Sequence, residues 1–388
     1  MKVIIFGTGK MYQKAKPELR KDIEITAFTD NDPSKWGKGI EGISVVSPQK
    51  IHTLTYDFIF LLSTYYREMR KQLLEAGIPA EKIYDVNQME RICETGPTKY
   101  YGELKEYEDS KKILFFSHAL SSTGAQNVLF HAARILKEKG YHLAVVSKTD
   151  GILREAFLKS NIPVIIMENP HVENMDFIKT VQWADLIFVN TVWLYYIVEE
   201  LLDFHKKVKW WVHEADGFEH LKEAVFKETK PGGGLTVYAV SPLVKRKMIQ
   251  TYGKRFPVSE LTFGLPYYET GEKKENFHGK TIFAVIGGIG WIKGQDIFIK
   301  AIERLSEYYR ENAEFWIVGG GKLAQEDLKR AQLFPCIKVT GEIENQKMPD
   351  LYSKIDVVVC CSRKEAMSVV VAEGCMNGKL VIVSDAAG

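Results

Sequence analysis

A chain of 388 residues with 45% hydrophobic and 26% charged residues has room for two or three domains, each with its own core, and is too apolar to be disordered. Its 52 basic and 50 acidic residues leave a net charge of +2, so no overall field holds a polyanion and nucleic acid is not an expected partner. No apolar run approaches the roughly 18 residues that span a bilayer, and the N-terminus MKVIIFGTGK meets glycines at once without a cleavage site, which predicts a cytoplasmic protein.

The first element is the apolar run VIIFGTGK from Val3, the pattern of a strand buried on both faces that runs into a glycine turn. ITAFTD, DFIFLLS and the helical YYREMRKQLLEAG follow, the last stopped by Gly77 and Pro79. The turn holds Gly7 and Gly9, and Asp30 closes the second strand, which makes these three residues a candidate nucleotide site. GTGK lacks the third glycine of a dinucleotide fingerprint and the lysine of a phosphate loop, so binding and scaffolding stay open. Tyr12, Lys35 and Trp36 are the residues expected to line any such pocket.

The pattern restarts at Ile113 with ILFFSHALSSTG and again at Ile282 with IFAVIGGIGWIKG, each followed by strand-like runs alternating with helix-length segments. Polar stretches from Glu94 to Ser110 and from Pro266 to Gly279 read as connections. The fold class is therefore α/β, with three Rossmann-like doubly wound domains in series: 1–95, a linker at 96–110, 111–266 and 267–388. The five cysteines, Cys93, Cys336, Cys360, Cys361 and Cys375, have no metal-ligand spacing and are expected as reduced core residues. Trp210 and Trp211, beside Lys206, Lys207 and Lys209, read as a buried strand or, with the Lys245, Arg246 and Lys247 cluster, as a peripheral membrane face.

Near the C-terminus the chain reads DVVVCCSRKEAMSVVVAEGCMNGKLVIVSDAAG. A buried strand ending at Ser362 leads into a loop with Glu365 and a helix expected from Met367 to Gly378. That places Glu365 and Glu373 at the carboxyl end of the sheet, where such folds bind ligands, and aims the amides of Met367, Ser368 and Val369 at the same crevice. Taken alone, two acids at this spacing serve equally as a helix cap and a surface residue.

The segment resembles the donor-binding signature of the retaining GT-B glycosyltransferases of group 1 (family 4-like). GGIGWIKGQDIFIKAI is similar to that family's first C-domain loop and helix, which implies that Lys293 meets the donor diphosphate. The family's second cation, five residues earlier, is here Gly288, so backbone amides of the Gly287 to Gly290 run are expected to share its task. SHALSSTGAQNVLFHAARILKEKG resembles the glycine loop and first helix of the acceptor half, with Ser122, Thr123 and Gly124 beside the phosphates. WWVHEADGF resembles the segment that places a histidine, here His213, by the transferred sugar, with Glu214 as a cap for the next helix. VYAVSPLVKRKMIQTYG and LTFGLPYY resemble the crossing between the halves.

The resemblance, which spans about Lys111 to Gly388, implies a pair of GT-B domains whose C-terminal member is incomplete at Gly388. It implies a hexosyltransferase that uses a UDP- or GDP-linked sugar, retains the anomeric configuration, needs neither metal nor tightly bound cofactor, and serves bacterial surface polysaccharide synthesis on a saccharide or lipid-linked acceptor. Glu365, His213 and Lys293 are its implied catalytic residues; Gly124, Gly287, Gly288, Lys293, Met367, Ser368, Val369 and Glu373 are its implied donor ligands. DNDPSKWGKGIEGISVVSP resembles the small Rossmann-like domains of sugar acyltransferases. Two other readings stand beside this one: a non-catalytic nucleotide-sugar binder, and a nucleotide-sugar or NAD-linked enzyme acting through the N-terminal domain.

Overall fold

The computed structural model describes residues 1–108, 111–215, 234–252, 257–265, 279–344 and 347–387. The first sheet comprises β1 (Lys2–Phe6), β2 (Glu24–Thr29), β3 (Gly39–Ile40), β4 (Ile43–Val46), β5 (Phe58–Leu61) and β6 (Ile83–Asp85), in the order β3-β4-β2-β1-β5-β6. Its pairs are parallel apart from the β3–β4 hairpin. Val3, Ile4, Ile5 and Phe6 are fully buried, and successive residues feed opposite layers: Val3 and Ile5 pack in one core cluster, Ile4 and Phe6 in the other. This is why β1 reads as an unbroken apolar run rather than an alternation.

The second sheet runs β14-β13-β12-β11-β8-β9-β10-β7. Its strands are β7 (Lys99–Tyr101), β8 (Lys112–Ser117), β9 (His142–Ser147), β10 (Val164–Ile166), β11 (Leu186–Asn190), β12 (Lys207–Val212), β13 (Leu235–Ala239) and β14 (Val258–Glu260). The third is wholly parallel, β17-β16-β15-β18-β19, formed by β15 (Thr281–Ile286), β16 (Ala313–Val318), β17 (Ile337–Gly341), β18 (Val357–Cys360) and β19 (Leu380–Val383). Three Rossmann-like units in series thus agree with the α/β expectation.

The structure corrects several sequence-based assignments. The stretch expected as a linker supplies β7, which pairs antiparallel with β10, and Lys105 accepts a hydrogen bond on its carbonyl from Trp183. Lys99–Tyr101 of that stretch therefore belong to the second sheet as an edge strand. The expected crossing at Pro266 to Gly279 lies, but for its last residue, outside the described residues. Trp210 and Trp211 are 0% and 3% exposed and donate to the carbonyls of Thr191 and Leu261, so they offer no membrane face. The cysteines are all free, but only Cys93 and Cys360 are buried, Cys375 being exposed.

The N-terminal domain is docked on the second domain through buried polar contacts. Tyr195 donates to Asp85 Oδ2 (2.9 Å), Lys148 pairs with Glu90 (2.6 Å), Arg91 with Glu200 (3.0 Å), and the Arg67 guanidinium stacks 4.4 Å from the Trp193 ring. Lys148 follows β9, and Trp193, Tyr195 and Glu200 follow β11, so the docking covers the carboxyl ends of these strands. Among the described residues, no helix is long and apolar enough to cross a membrane.

Candidate functional site

In the second domain the chain reverses strand order at β8, which lies between β11 and β9; in the third it does so at β15, between β16 and β18. The loops that leave these switch points face each other across a cleft of about 670 Å³. Every transferase residue singled out from the sequence lines it: Gly124 and His213 from the second domain, and Gly287, Gly288, Lys293, Glu365, Met367, Ser368, Val369 and Glu373 from the third. Ser122, Thr123 and Glu214 line it too. The halves meet directly, because the Ser241 hydroxyl donates to the Ala366 carbonyl at 2.6 Å.

The glycine turn after β15 is required by its neighbours. Gly287 has φ +138°, and Gly319, at φ +150°, packs so closely that an added Cβ would lie 2.0 Å from the Gly287 oxygen. Two backbone turns therefore touch with no side chain between them. The amides expected to share the task of a second cation are largely spent in holding these turns: Gly287 donates to the Val318 carbonyl (2.9 Å), Ile289 to Gly320 (2.8 Å), Gly290 to the Gln295 side chain (3.2 Å) and Gly319 to Gly341 (2.9 Å). Lys293 sits in the short helix Trp291–Lys293 that ends at Gly294, and its ammonium pairs with Glu365 Oε2 at 2.5 Å. Glu365 also accepts from the Ser362 hydroxyl (3.2 Å). The lysine and acid assigned to separate parts of a donor are thus joined here into one neutral pair at the floor of the cleft.

The helix after Glu365 runs Val369–Met376, shorter at both ends than expected, because Ser368 takes the cap: its hydroxyl accepts from the Val371 amide at 3.4 Å. The amides of Val369 and Val370 precede the first helical acceptor and face the cleft, which is suited to an anion. Glu373, one turn on, accepts from the Tyr352 hydroxyl at 2.7 Å; burial raises its pKa and that hydrogen bond lowers it, burial prevailing.

His213 follows β12 and packs against Trp211, with ring centroids 4.5 Å apart and the planes tilted by 55°. Burial, then the nearby His118, holds its pKa down to about 3, so it is neutral at physiological pH. Its Nε2 is buried without a hydrogen-bond partner among the described residues, an opening for a ligand hydroxyl. The segment that Glu214 was expected to cap lies outside the described residues; its Oε2 accepts from the amides of Val192 (2.7 Å) and His213 (3.2 Å) and ties β12 to the turn after β11. That turn includes Thr191 at φ +78°, whose hydroxyl lies 3.2 Å from His118 Nδ1.

The N-terminal candidates form no comparable site. Burial pushes the Asp30 carboxyl up, but Lys35 and Thr8 outweigh it and hold the pKa near 2. Its Oδ2 accepts from the Thr8 hydroxyl (2.5 Å) and Lys35 (2.7 Å), and Trp36 donates to its carbonyl (2.7 Å). The aspartate locks its own turn. Gly7 (φ +108°) is pressed on the Leu62 carbonyl, Gly9 begins the first helix, and Tyr12 is fully buried in the core rather than lining a pocket. Residues the sequence reading passed over, Gly319, Gly320, Glu342, Ile343 and Met348, also line the cleft. The signal for Gly319 and Gly320 was the GGG run closing an apolar strand; Tyr352 gave none, being a lone aromatic in the short mixed segment MPDLYSK.

Comparison with known proteins agrees with this geometry. Residues 109–227 match the profile of glycosyl-transferase family 4, residues 280–388 that of glycosyl transferases group 1, and residues 1–84 that of the C2185-like N-terminal domain. Over 99 residues the chain is 33% identical to GalNAc-alpha-(1->4)-GalNAc-alpha-(1->3)-diNAcBac-PP-undecaprenol alpha-1,4-N-acetyl-D-galactosaminyltransferase of Campylobacter jejuni, which covers 25% of this chain and 27% of that protein. It thus spans about a quarter of the length of this relative. Among solved structures, HepE of Anabaena in complex with UDP and glucose shares the fold at a TM-score of 0.59 and 19% identity, over 72% of this chain and 82% of that one. A glycosyltransferase of Rickettsia africae does so at 0.57 and 17%, over 73% and 81%. WaaG, a glycosyltransferase involved in lipopolysaccharide biosynthesis, does so at 0.52 and 16%, over 71% and 82%. The chain thus carries a family 4 and a group 1 glycosyltransferase domain on the two sides of the cleft, in the GT-B architecture.

Proposed function

We propose that this chain transfers a sugar from a UDP- or GDP-linked donor to a saccharide or lipid-linked acceptor, with retention of configuration and without a metal ion, in bacterial surface polysaccharide synthesis. The observation that carries the reading is the convergence of a cation, exposed amides and two acids from separate loops on one cleft between two domains. Loss of a diphosphate requires stabilisation of its growing negative charge, and Lys293 and the amides of Val369 and Val370 supply it. Glu373, an acceptor-only group when ionised, suits the vicinal diol of a ribose. Glu365 accepts hydroxyls of the donor sugar and steadies an oxocarbenium-like centre, while the open Nε2 of His213 reaches the sugar from the other half. Transfer on the front side, with the leaving phosphate as base, fits a Glu365 whose charge is already met by Lys293. The name of the Campylobacter relative favours a lipid-linked acceptor, which would bring the protein to the inner membrane face.

The test is a calorimetric panel of UDP, GDP, NAD and nucleotide sugars. One nucleotide is expected to bind, and Glu373→Ala to weaken it roughly tenfold through loss of ribose hydrogen bonds. Binding of NAD alone would move the function to the N-terminal domain. Proton NMR of the product anomer tests retention, and turnover in a chelator tests metal independence.

Gly288 has ordinary φ, and an added Cβ would have only the Gly320 oxygen, 4.0 Å away, for a neighbour. Gly288→Arg is therefore expected to fold and to tighten UDP or GDP severalfold by supplying a second cation. Tight nucleotide binding with no turnover by the native chain would favour the non-catalytic reading.

A further inference from the structure

Tyr352 lies on the helix Met348–Lys354, is 0% exposed, and packs with Ile282, Ala284, Val318 and Val358 under the floor of the cleft. A phenol in so apolar a place needs a partner for its hydroxyl, and the partner is Glu373 Oε2 at 2.7 Å. The bond joins this helix to Val369–Met376, which packs on the same face of the sheet, and it restrains a carboxylate that otherwise turns about its broad terminal torsion. Asn377 is tied to the same residue through its backbone, donating to the Glu373 carbonyl at 2.7 Å, and so leaves the carboxylate to Tyr352.

We propose that Tyr352 is a positioning residue for the donor nucleoside: its hydroxyl holds one oxygen of Glu373 and presents the other to the ribose diol. The inference rests on Glu373 as the ribose ligand and adds the residue that makes it selective for a ribonucleotide. An unrestrained glutamate would reach a ribose or a water with similar ease, whereas a fixed one accepts from a hydroxyl at one place only. Burial raises the pKa of Glu373 and the Tyr352 hydrogen bond opposes it. Among the described residues, the other ionisable groups facing this cleft are Lys293, Glu365, Glu342, Glu214 and His213. Removing the Tyr352 hydroxyl raises the Glu373 pKa further, so nucleotide binding that needs the ionised carboxylate is lost at a higher pH as pH falls.

The experiment measures the affinity of the full chain for UDP, GDP and their 2′-deoxy forms by calorimetry, in the native protein and in Tyr352→Phe and Glu373→Ala. In the native protein the ribonucleotide is expected to bind roughly tenfold more tightly than its 2′-deoxy form. Tyr352→Phe should weaken the ribonucleotide about fivefold, leave the deoxynucleotide within about twofold, and move the acid limb of binding to higher pH. A tyrosine that merely fills the core would lower both affinities together or neither. The unaltered protein supplies a second readout, since its preference for the ribonucleotide should fade as pH falls through the Glu373 pKa. If Glu373→Ala abolishes the preference while Tyr352→Phe keeps it, the positioning role is overturned and the ribose site stands. If Glu373→Ala leaves ribonucleotide affinity unchanged, the ribose site itself falls, and Tyr352 with it.

Discussion

Replacing Asp85 by alanine should cost about 3–5 kcal/mol of stability, measured by denaturant unfolding followed by circular dichroism. Asp85 is 0% exposed at the end of β6 and serves three groups. Its Oδ2 lies 3.9 Å from the Arg70 guanidinium, which is itself 3% exposed, and accepts from the Tyr195 hydroxyl at 2.9 Å; its Oδ1 accepts from the Asn87 amide at 2.9 Å. Alanine leaves a buried cation without its counter-charge, and the one hydrogen bond left to Arg70, to the Ile83 carbonyl, does not neutralise it. Because Tyr195 belongs to the second domain, the same change loosens the docking surface. Arg70→Met with Asp85→Ala should recover part of the loss, since an apolar pair of similar volume removes the stranded charge. A loss below about 1 kcal/mol for Asp85→Ala would show that water reaches this interface.

The docking has a consequence at the cleft. The helix Tyr195–Leu201, which carries the contacts to Asp85, Gln88 and Arg91, begins three residues after Val192, whose amide binds Glu214. The N-terminal domain therefore braces the turn that orients His213.

Fold and site were legible in the sequence to different depths. The three sheets were readable because parallel strands buried on both faces leave unbroken apolar runs, and the runs that open the first and third sheets are closed at once by glycine where the chain must turn. The cleft was readable where chemistry forces residue type: a cation beside a glycine turn, an acid at a helix start. Asp30 stayed open because an acid after the second strand serves a ligand or its own turn equally well; in the structure it pairs with Lys35 at 2.7 Å. The Lys99–Tyr101 strand was hidden because an edge strand of three residues, largely exposed, carries no apolar signature. Tyr352 and Asp85 were invisible for a different reason: each matters through a partner far along the chain, Glu373 and Tyr195, and no local pattern reports a pairing.

Gly294→Ala should destabilise the C-terminal domain by roughly 2–5 kcal/mol and abolish nucleotide binding at any concentration a calorimeter reaches. Gly294 is at φ +73°, and a Cβ built there would lie 2.1 Å from the Cys361 carbonyl oxygen. That oxygen belongs to the backbone just after β18, so it cannot swing aside as a side-chain tip does; either the loop bearing Lys293 or the loop bearing Glu365 must shift by about an ångström. Both loops supply the cleft, and their pairing at 2.5 Å has no slack for such a shift. Gly290, four residues earlier in the same loop, provides the control: its φ of 178° is extended backbone that any residue adopts, and a Cβ there meets nothing within 4 Å. Gly290→Ala should therefore leave stability within about 0.5 kcal/mol of the native protein and nucleotide affinity nearly unchanged. Equal loss in both variants would mean that the loop needs glycine for motion rather than for the close approach of two backbones, and the fixed geometry assigned to Lys293 would have to be given up.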